Sequence, residues 1–200
     1  MESKNFLTAI QERRTIYNID KDIKVSEAKV QEIVEFAVKH APSSFNSQTS
    51  RAVILFKEHS DKFWETTKEI LRGIVPADQF AATEAKMNGF GAGYGTILFF
   101  EDENAVKKLQ DGFPLYADKF PVYSQHTSGM VQFIVWTALE AEGLGCSLQH
   151  YSPLVDETVQ KSWNVPANWK LVAQMPFGNP TKPAGEKTFQ PIEERVKVFH

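Results

Sequence analysis

The sequence predicts a single domain that contains both α-helices and β-strands. A continuous apolar run of strand length occupies residues 52–56, and further strands are predicted at residues 96–100 and 169–177. Residues 26–40 place apolar side chains at helical spacing, so that one face of a helix would be buried. Residues 128–143 are apolar on almost every side, which predicts a helix that is buried all round. A chain of 200 residues is long enough to bury a sizeable core.

Composition limits the functions that this domain can have. Hydrophobic residues make up 42% of the chain and charged residues 24%, as in ordinary globular proteins. The net charge of −3 offers no general surface for polyanions, which disfavours nucleic-acid binding. The single cysteine, Cys146, cannot form an internal disulfide or a thiolate zinc site alone. Residues 1–14 lack the apolar core of a signal peptide, and no run could span a bilayer, so we expect a soluble cytoplasmic protein.

The predicted elements follow from periodicity and from start signals along the chain. Helices are predicted at about residues 5–14, 26–40, 60–76, 77–88, from 101–103 onward, 128–143 and 153–163. Strands are predicted at residues 52–56, 96–100, 146–151 and 169–177, the first of them as a central strand. Residues 178–185 have the composition of a linker. The charged tail, residues 186–200, cannot form its own core, so we expect it to pack on another surface, such as that of a partner subunit.

The most distinctive polar stretch is residues 41–51, which combine hydroxyls, amides and a guanidinium after Pro42. Ser, Asn and Thr compete for backbone hydrogen bonds and proline lacks an N–H, so this stretch is a turn and not a core element. It could present amides and hydroxyls to a polar planar ligand. The alternative is an ordinary solvated loop between a helix and a strand.

A second polar group, Arg13-Arg14-Thr15, follows the first predicted helix. Two guanidiniums beside a hydroxyl suit a phosphate, because the planar fork matches phosphate oxygens. Basic residues at a helix C-terminus can also simply complement the helix dipole. A third polar group, Gln149-His150-Tyr151, follows the apolar helix.

Two further motifs carry weaker signals. The glycine-rich residues 89–95 lack the spacing of a dinucleotide loop and precede a strand, so we interpret them as a flexible hinge. The carboxylates of residues 101–103 are interpreted as helix caps and not as metal ligands. Residues 111–125 are predicted to be irregular and aromatic, and form either a flap over the core or the wall of a substrate pocket.

Four short motifs occur in a fixed order along this chain. They are Arg13-Arg14-Thr15, the sequence PSSFNSQ at residues 42–48, Lys86-Met87 before the middle strand, and GLGCSLQHY at residues 143–151. In this order they resemble the flavin-dependent nitroreductase family. The stretches PSSFNSQTSR, GYGTILFFED and LGCSLQHY are most similar to its fatty-acid-repression-mutant-like subgroup. The resemblance covers nearly the whole chain.

The resemblance implies an α+β fold in which helices flank a mixed, mainly antiparallel central sheet. Residues 1–200 would form one nitroreductase-like FMN-binding domain. It also implies a homodimer with one FMN at each end of the interface and a C-terminal tail that packs on the partner subunit.

The resemblance also assigns candidate FMN-binding residues. In similar proteins, residues corresponding to Arg13, Arg14 and Thr15 hold the phosphate and the ribityl chain. The loop that approaches the isoalloxazine ring from the partner subunit corresponds to Pro42, Ser43, Ser44, Asn46 and Gln48. A lysine at the pyrimidine edge corresponds to Lys86, and the backbone beside flavin N5 corresponds to Gln149 and His150.

Two positions depart from the family pattern. Relatives commonly carry two basic residues shortly before a proline, whereas before Pro191 this chain has Lys187 and Phe189, so the phosphate would depend more on the arginines. Many relatives carry glutamate and glycine beside N5, where this chain has Gln149-His150. The roles of these two side chains therefore stay open.

The resemblance implies an enzyme in which NADH or NADPH reduces FMN and a nitroaromatic or quinone-type acceptor then takes the hydride. Because FMN would carry the redox chemistry, no catalytic side chain and no metal are predicted. His126 and His150 are interpreted as polar groups of the pocket and not as general bases. The alternative is a flavin-bound regulator that senses redox state or lipid and acts through a protein partner.

Overall fold

The computed structural model describes residues 4–200, which form helices on both faces of an antiparallel sheet. The helices are α1 (Phe6–Glu12), α2 (Glu27–His40), α3 (Glu58–Arg72), α4 (Phe80–Gly91), α5 (Glu103–Gly112), α6 (Phe120–Ala141) and α7 (Asp156–Trp163). The strands are β1 (Ile19–Asp20), β2 (Ser50–Phe56), β3 (Gly95–Asp102), β4 (Gly145–Cys146) and β5 (Trp169–Pro180). Short 3-10 turns lie at Ser44–Asn46, Pro114–Tyr116 and Ile192–Glu194.

The strands are ordered β1-β5-β3-β2, and β4 also pairs with β5. Each of these strand pairs is antiparallel, and an isolated parallel bridge joins Thr15 to Cys146. This architecture confirms the predicted α+β fold with a mainly antiparallel sheet. The prediction that the 52–56 run is a central strand is wrong, since β2 pairs only with β3 and lies at an edge. The run is apolar because helices cover both of its faces.

Alternating side chains of β3 enter two separate cores, as the two-residue period of a strand requires. Ile97 and Phe99 contribute to the core beneath α2 and α6. Leu98 and Phe100 contribute to the core beneath α3, α4 and α7. β3 and β5 are buried on both faces, so these strands are rigid. The loops of the candidate site extend from their ends.

Several helices begin at the capping residues that the sequence provides. The side chain of Ser26 accepts a hydrogen bond from the Lys29 N–H and starts α2, as predicted. Asn5 caps α1 through the Thr8 N–H, and Asp102 caps α5 through two backbone N–H groups. The predicted capping role of Asp102 is therefore confirmed, whereas Glu101 belongs to β3 and is 2% exposed.

The glycine-rich residues 89–95 are not a hinge. Helix α4 continues to Gly91, and β3 begins at Gly95. A Cβ atom on Gly95 would lie 2.5 Å from the Phe177 ring, and one on Gly93 would lie 2.7 Å from the Phe177 carbonyl oxygen. These glycines are required by close packing against β5.

Helix α6 differs from the prediction in its length and in its environment. It begins at Phe120, so residues 120–125 are helical and not irregular. It buries polar side chains, including those of Ser124 and Gln132, while Met130 and Phe133 are 37% and 39% exposed. The helix is therefore not buried on every side within a single chain. Among residues 4–200, no helix is both long and apolar enough to cross a membrane.

The remaining boundaries shift by a few residues. The predicted strand at 146–151 is reduced to β4 and an isolated bridge at Gln149, and α7 begins three residues later than predicted, at Asp156. Residues 178–180 belong to β5, so the linker begins after Pro180. The tail beyond it is exposed, and its packing on a partner subunit stays a prediction.

Candidate functional site

The arginine arm, residues 13–15, follows α1 directly. The Arg13 N–H donates to the Ala9 carbonyl oxygen and ends the helix. The Arg13 guanidinium lies over the Trp136 ring of α6, with the guanidinium carbon 4.4 Å from the ring centroid. Its Nε is buried and has no hydrogen-bond partner among residues 4–200. A buried donor without a partner is costly, so this nitrogen is suited to a ligand that supplies an acceptor.

The rest of the arm is fixed to β4. Thr15 forms a backbone bridge with Cys146, and the Ile16 N–H donates to the Cys146 carbonyl oxygen at 2.9 Å. Arg14 Nη2 donates to the Gly185 carbonyl oxygen at 2.8 Å. Within the described part of the chain, neither Arg13 nor Arg14 forms an ion pair with a carboxylate. The arm therefore presents two guanidiniums without an ion-pair partner in this part of the chain, and the carboxylates of Glu12 and Glu140, which line the same cleft as Arg14, are paired with Lys4.

Lys86 and Lys187 lie on the same side of the molecule as the arm. Lys86 is exposed on α4 and lines a cleft of about 320 Å³ with Tyr17 and Asn18, which closely follow the arm. Lys187 is exposed and comes shortly after Gly185, whose carbonyl accepts the Arg14 hydrogen bond. Lys86 therefore lies near the residues that follow the arm, and Lys187 comes two residues after the glycine that Arg14 contacts.

The segment that contains Gln149 and His150 is held by Gln174 of β5. Gln149 and Gln174 exchange two backbone hydrogen bonds of 2.8 and 2.9 Å, and the Tyr151 N–H donates to Gln174 Oε1 at 2.8 Å. The Gln149 side chain is buried and donates to Ser147 Oγ at 3.0 Å, whereas His150 is exposed. Both backbone groups of Gln149 are therefore occupied by Gln174, so the backbone role predicted for this segment would fall to His150, and no role is assigned to the side chains.

Ionisable groups beside this segment stay neutral near pH 7. Burial raises the pKa of Tyr151 to about 12. Burial and the nearby Glu140 charge raise the pKa of the Cys146 thiol, and Arg13 only partly opposes them. A buried thiol whose pKa is raised is a poor nucleophile, so Cys146 is a structural residue.

The polar loop, residues 42–48, contains the 3-10 turn Ser44–Asn46 and three non-glycine residues with positive φ. These residues are Phe45 at 57°, Asn46 at 50° and Gln48 at 49°. Ser43 stabilises the turn, since its Oγ accepts from the Gln48 N–H at 3.0 Å and its carbonyl accepts from the Asn46 N–H at 3.0 Å. Pro42, Asn46 and Gln48 are exposed and Ser44 is half-buried, so the loop is open to a ligand.

The polar loop and the arginine arm lie at opposite ends of the sheet. The loop leads into Ser50, which pairs with Glu101 near the end of β3, whereas β4 beside the arm pairs with Phe177, opposite Gly95. An antiparallel strand of this length spans roughly 23 Å. A single chain therefore does not bring the two groups of predicted residues together.

Charged and polar residues at the base of the polar loop were missed as site residues. Arg51 Nη1 donates to the Gln48 carbonyl oxygen at 2.6 Å, and Arg51 Nη2 pairs with Asp102 at 2.8 Å. The Glu101 carboxylate accepts hydrogen bonds from Ser50 and Ser124. Only the apolar run of β3, which continues directly into Glu101, could have indicated that this carboxylate is buried.

Hydrogen bonds set the protonation of Asp102. Burial raises the pKa of Asp102, but donors from Asn168 and Ala105 and the Arg51 charge outweigh burial and hold the pKa below its ordinary value. Asp102 is therefore a carboxylate at neutral pH and a stable partner for Arg51.

The donor groups around the arm fit FMN. Two guanidiniums without ion-pair partners and a hydroxyl suit a phosphate. Arg13 Nε, which has no hydrogen-bond partner among residues 4–200, can donate to a phosphate oxygen. Residues 4–200 contain no group of three or more His, Cys, Asp or Glu side chains that could hold a metal ion.

Comparisons with known proteins agree on one family. The model of the Nitroreductase family matches residues 10–179. The nitroreductase FRM2 of Saccharomyces cerevisiae is 37% identical over 201 residues, which cover 98% of this chain and 97% of FRM2. The nitroreductase CinD of Lactococcus lactis, solved in complex with chloramphenicol, is 46% identical and superposes with a TM-score of 0.90 over 98% of this chain and 100% of CinD. A protein of Exiguobacterium sibiricum solved in complex with FMN shares the fold at 15% identity, with a TM-score of 0.70 over 100% of this chain and 99% of that protein.

Proposed function

The chain belongs to the nitroreductase family of oxidoreductases, and on that premise we propose that it is an FMN-dependent NAD(P)H oxidoreductase. In this proposal a hydride passes from the nicotinamide through bound FMN to a nitroaromatic or quinone-type acceptor. The observation that carries the proposal is the arginine arm, where two unpaired guanidiniums and the orphan Arg13 Nε lie beside Thr15. The carboxylates that share a cleft with Arg14, Glu12 and Glu140, are paired with Lys4 and not with the arm, so a phosphate would supply the arm with its own counter-charge.

The arm would hold the polar end of the cofactor. Arg13 and Arg14 would donate to the phosphate oxygens, and Thr15 would donate to the phosphate or the ribityl chain. Lys187 lies on the same side and would add charge to this end. Because charge-assisted hydrogen bonds are about twice as strong as neutral ones, these contacts would dominate the affinity for the phosphorylated cofactor.

Three further groups would orient the ring. Lys86 would lie at the pyrimidine edge, where a cation favours the negative charge that the ring gains on reduction. The backbone of Gln149 and His150 would lie beside N5, held in place by Gln174. The bound FMN itself would supply the two-electron chemistry, so the protein needs only to bind, orient and shield it.

The polar loop would contact the ring from a partner subunit, through Pro42, Ser43, Ser44, Asn46 and Gln48. The position of the loop and the arm at opposite ends of the sheet in one chain supports this arrangement. Two further observations support a homodimer, namely the exposed Met130 and Phe133 on α6 and the tail that contacts little of its own domain. Obligate dimers bury apolar surfaces of this kind.

The acceptor class rests on the relatives. CinD was solved with chloramphenicol, a nitroaromatic compound, and this supports a nitroaromatic acceptor for this chain. Phe45 of the polar loop contacts the ring of Phe113, and both rings are exposed, so they would provide an apolar wall for such a planar acceptor. The buried Phe120 packs against both rings and supports them.

The absorption spectrum of the purified protein tests this proposal. We expect a bound flavin that NADH or NADPH bleaches under anaerobic conditions, and that a nitroarene or a quinone then reoxidises. A protein without flavin would overturn the proposal. A flavin that is inert to both nicotinamides would instead favour a flavin-bound regulator.

A further inference from the structure

The backbone of the polar loop is strained in a way that requires external support. Phe45 and Gln48 have left-handed φ angles, which bulky side chains rarely adopt, and Asn46 shares the conformation. Such residues persist only where the surrounding structure over-determines them, and they cluster at ligand-binding sites. The contacts that provide this support lie where the loop joins β2.

Arg51 is the first support. It lies on β2 and donates from one nitrogen to the carbonyl oxygens of Gln48 at 2.6 Å and Ser50 at 2.9 Å. A second nitrogen pairs with Asp102 at 2.8 Å, and both side chains are mostly buried, at 30% and 14% exposure. The planar guanidinium therefore links the left-handed residue Gln48 to a fixed carboxylate.

Asp102 transfers this link to the rest of the fold. One of its oxygens accepts from the N–H groups of Asn104 and Ala105 at the start of α5 and from Asn168 Nδ2 at 2.7 Å. Its own N–H donates to the Thr49 carbonyl oxygen at 2.8 Å. The end of the polar loop is thus joined to α5 and to the turn before β5.

Glu101 is the second support. Its carboxylate is 2% exposed and forms no ion pair within residues 4–200. It is stabilised by the hydroxyls of Ser50 on β2 and Ser124 on α6, both of which must donate to it. A buried carboxylate is costly unless such donors are present, so their orientation is fixed and Ser50 is tied to α6.

We propose that Arg51, Asp102 and Glu101 are positioning residues that hold the polar loop in one preformed conformation, in which it receives the flavin ring. The inference rests on the proposed function. It assigns these three residues no contact with the cofactor, since they act through the backbone of Gln48, Thr49 and Ser50. A preformed loop raises affinity because the ordering cost is met before the ligand arrives.

The test compares Asp102→Asn with Asp156→Asn on the full-length protein. Asn at position 102 keeps the size and the capping ability of the side chain but removes the charge that binds Arg51. Asp156 is a matched control, because it is also a mostly buried aspartate at the start of a helix, paired with Lys170 at 2.9 Å, but it has no link to the loop. Hydrogen exchange at residues 43–50 without flavin and the affinities for FMN and riboflavin are measured for both variants.

We expect Asp102→Asn to speed exchange at residues 43–50 about 10-fold. Affinity should fall only as far as the fraction of molecules with the competent loop falls, so a 10-fold loss of affinity requires the loop to open in about nine tenths of the molecules. FMN and riboflavin should weaken equally, since the loop contacts the ring and not the phosphate. Asp156→Asn should lower thermal stability without either effect. A merely structural role for Asp102 would give the same result in both variants.

Arg51→Lys provides a second route if Asp102→Asn does not fold. Lysine keeps the charge but cannot contact Gln48 and Asp102 in the same planar geometry, so we expect an intermediate effect on exchange and on affinity. Glu101→Gln, which the two hydroxyls can still satisfy by reorientation, should be the mildest variant.

The outcomes separate this inference from the proposed function. A wild-type protein that binds no flavin would overturn the proposed function. Unchanged exchange at residues 43–50 in Asp102→Asn would overturn the inference while the proposed function stands. Exchange as fast as that of an open loop, with unchanged affinity for both flavins, would also overturn it, because the order of the loop would then have no role in binding.

Discussion

The two guanidiniums of the arginine arm form no ion pair within residues 4–200. The backbone of the polar loop, in contrast, is held in place by charged side chains that are already paired or hydrogen-bonded. Arg13 stacks on Trp136 and keeps an orphan Nε, and Arg14 contacts only a carbonyl oxygen of the linker. Around the loop, by contrast, Arg51 is paired with Asp102, and Glu101 is satisfied by two hydroxyls. Both regions are rich in polar residues, but their charges are used in different ways.

The arm would therefore recognise a ligand through its charges, and the loop would recognise it through the shape of a preformed backbone. An uncommitted guanidinium gains a partner when a phosphate binds, so its residue type matters most. A loop held in an unusual conformation offers preformed backbone groups, so its supports matter as much as its own side chains. Variants of the arm should therefore discriminate between phosphorylated and unphosphorylated flavins, and variants of the loop supports should not.

The largest expected effect comes from separating the two regions in mixed dimers. One protomer carries Arg13→Ala and Arg14→Ala, and its partner carries Ser44→Ala and Asn46→Ala. If each site combines the arm of one chain with the loop of the other, one site of the mixed dimer keeps both regions intact. We expect such dimers, isolated with two affinity tags, to bind about half the wild-type amount of FMN at wild-type affinity.

The two parent homodimers are the controls, since each carries a lesion in both of its sites. Mixed dimers that bind FMN no better than the parents would mean that arm and loop belong to one chain. A flavin-bound monomer in sedimentation at micromolar concentration would contradict the shared site more directly.

The next effect in size concerns Arg13→Ala. The loss of a charge-assisted hydrogen bond to phosphate costs about 1.5–3 kcal/mol, so the affinity for FMN should fall roughly 10- to 150-fold. Riboflavin, which lacks the phosphate, should bind the variant and the wild type equally. Isothermal titration of both ligands measures this, with Arg72→Ala on the surface of α3 as a control. Equal weakening of riboflavin would show that Arg13 acts only by packing on Trp136.

A smaller effect is expected at Lys86, which is exposed and therefore screened by solvent. Lys86→Met keeps the apolar stem and deletes the charge, so the flavin should be retained while its reduction potential falls. An exposed charge contributes at most about 1 kcal/mol, which corresponds to roughly 20 mV for a two-electron couple. A redox titration against a reference dye measures the shift, and Lys62→Met on α3 is the control. An unchanged potential at full FMN occupancy would place Lys86 on a merely solvated helix face.

The smallest effect is the pH dependence of the Asp102 contribution to stability. The folded-state pKa of Asp102 is lowered, so this contribution is present above the unfolded pKa of about 3.9 and is lost as the pH falls through the folded value. Wild type should therefore exceed Asp102→Asn in urea midpoint at pH 7, and the gap should close below about pH 4. A gap that is constant from pH 7 to pH 3 would mean that the Asp102 charge does not stabilise the fold.

Much of the local structure could be predicted from the sequence. The boundaries of α2 follow from Ser26 and the spacing of its apolar residues, and both are local properties. The turn at residues 42–48 follows from its composition, and the capping role of Asp102 from its place before a helix. The same residues carry the resemblance to the nitroreductase family, so the fold could be predicted once that resemblance was recognised.

The errors occurred where a residue's environment depends on distant parts of the chain. Glu101 is interpreted from the sequence as a helix cap, because nothing near it in the chain indicates that Ser50 and Ser124 meet it in the core. Residues 89–95 were interpreted as a hinge, because glycine composition does not distinguish freedom from the close approach of Phe177. The 52–56 run was placed in the centre of the sheet, because an edge strand covered by helices is as apolar as a central one.

The sequence by itself determined which chemical groups this protein can offer a ligand, because residue types and short spacings are local properties. It supplied the guanidiniums of the arm, the amides and hydroxyls of the loop and the ammonium of Lys86. Only the tertiary structure decided where these groups meet. Strand pairing places arm and loop at opposite ends of β3, and long-range hydrogen bonds to Glu101 and Asp102 hold the loop. Those contacts join residues about fifty positions apart, and no local pattern encodes them.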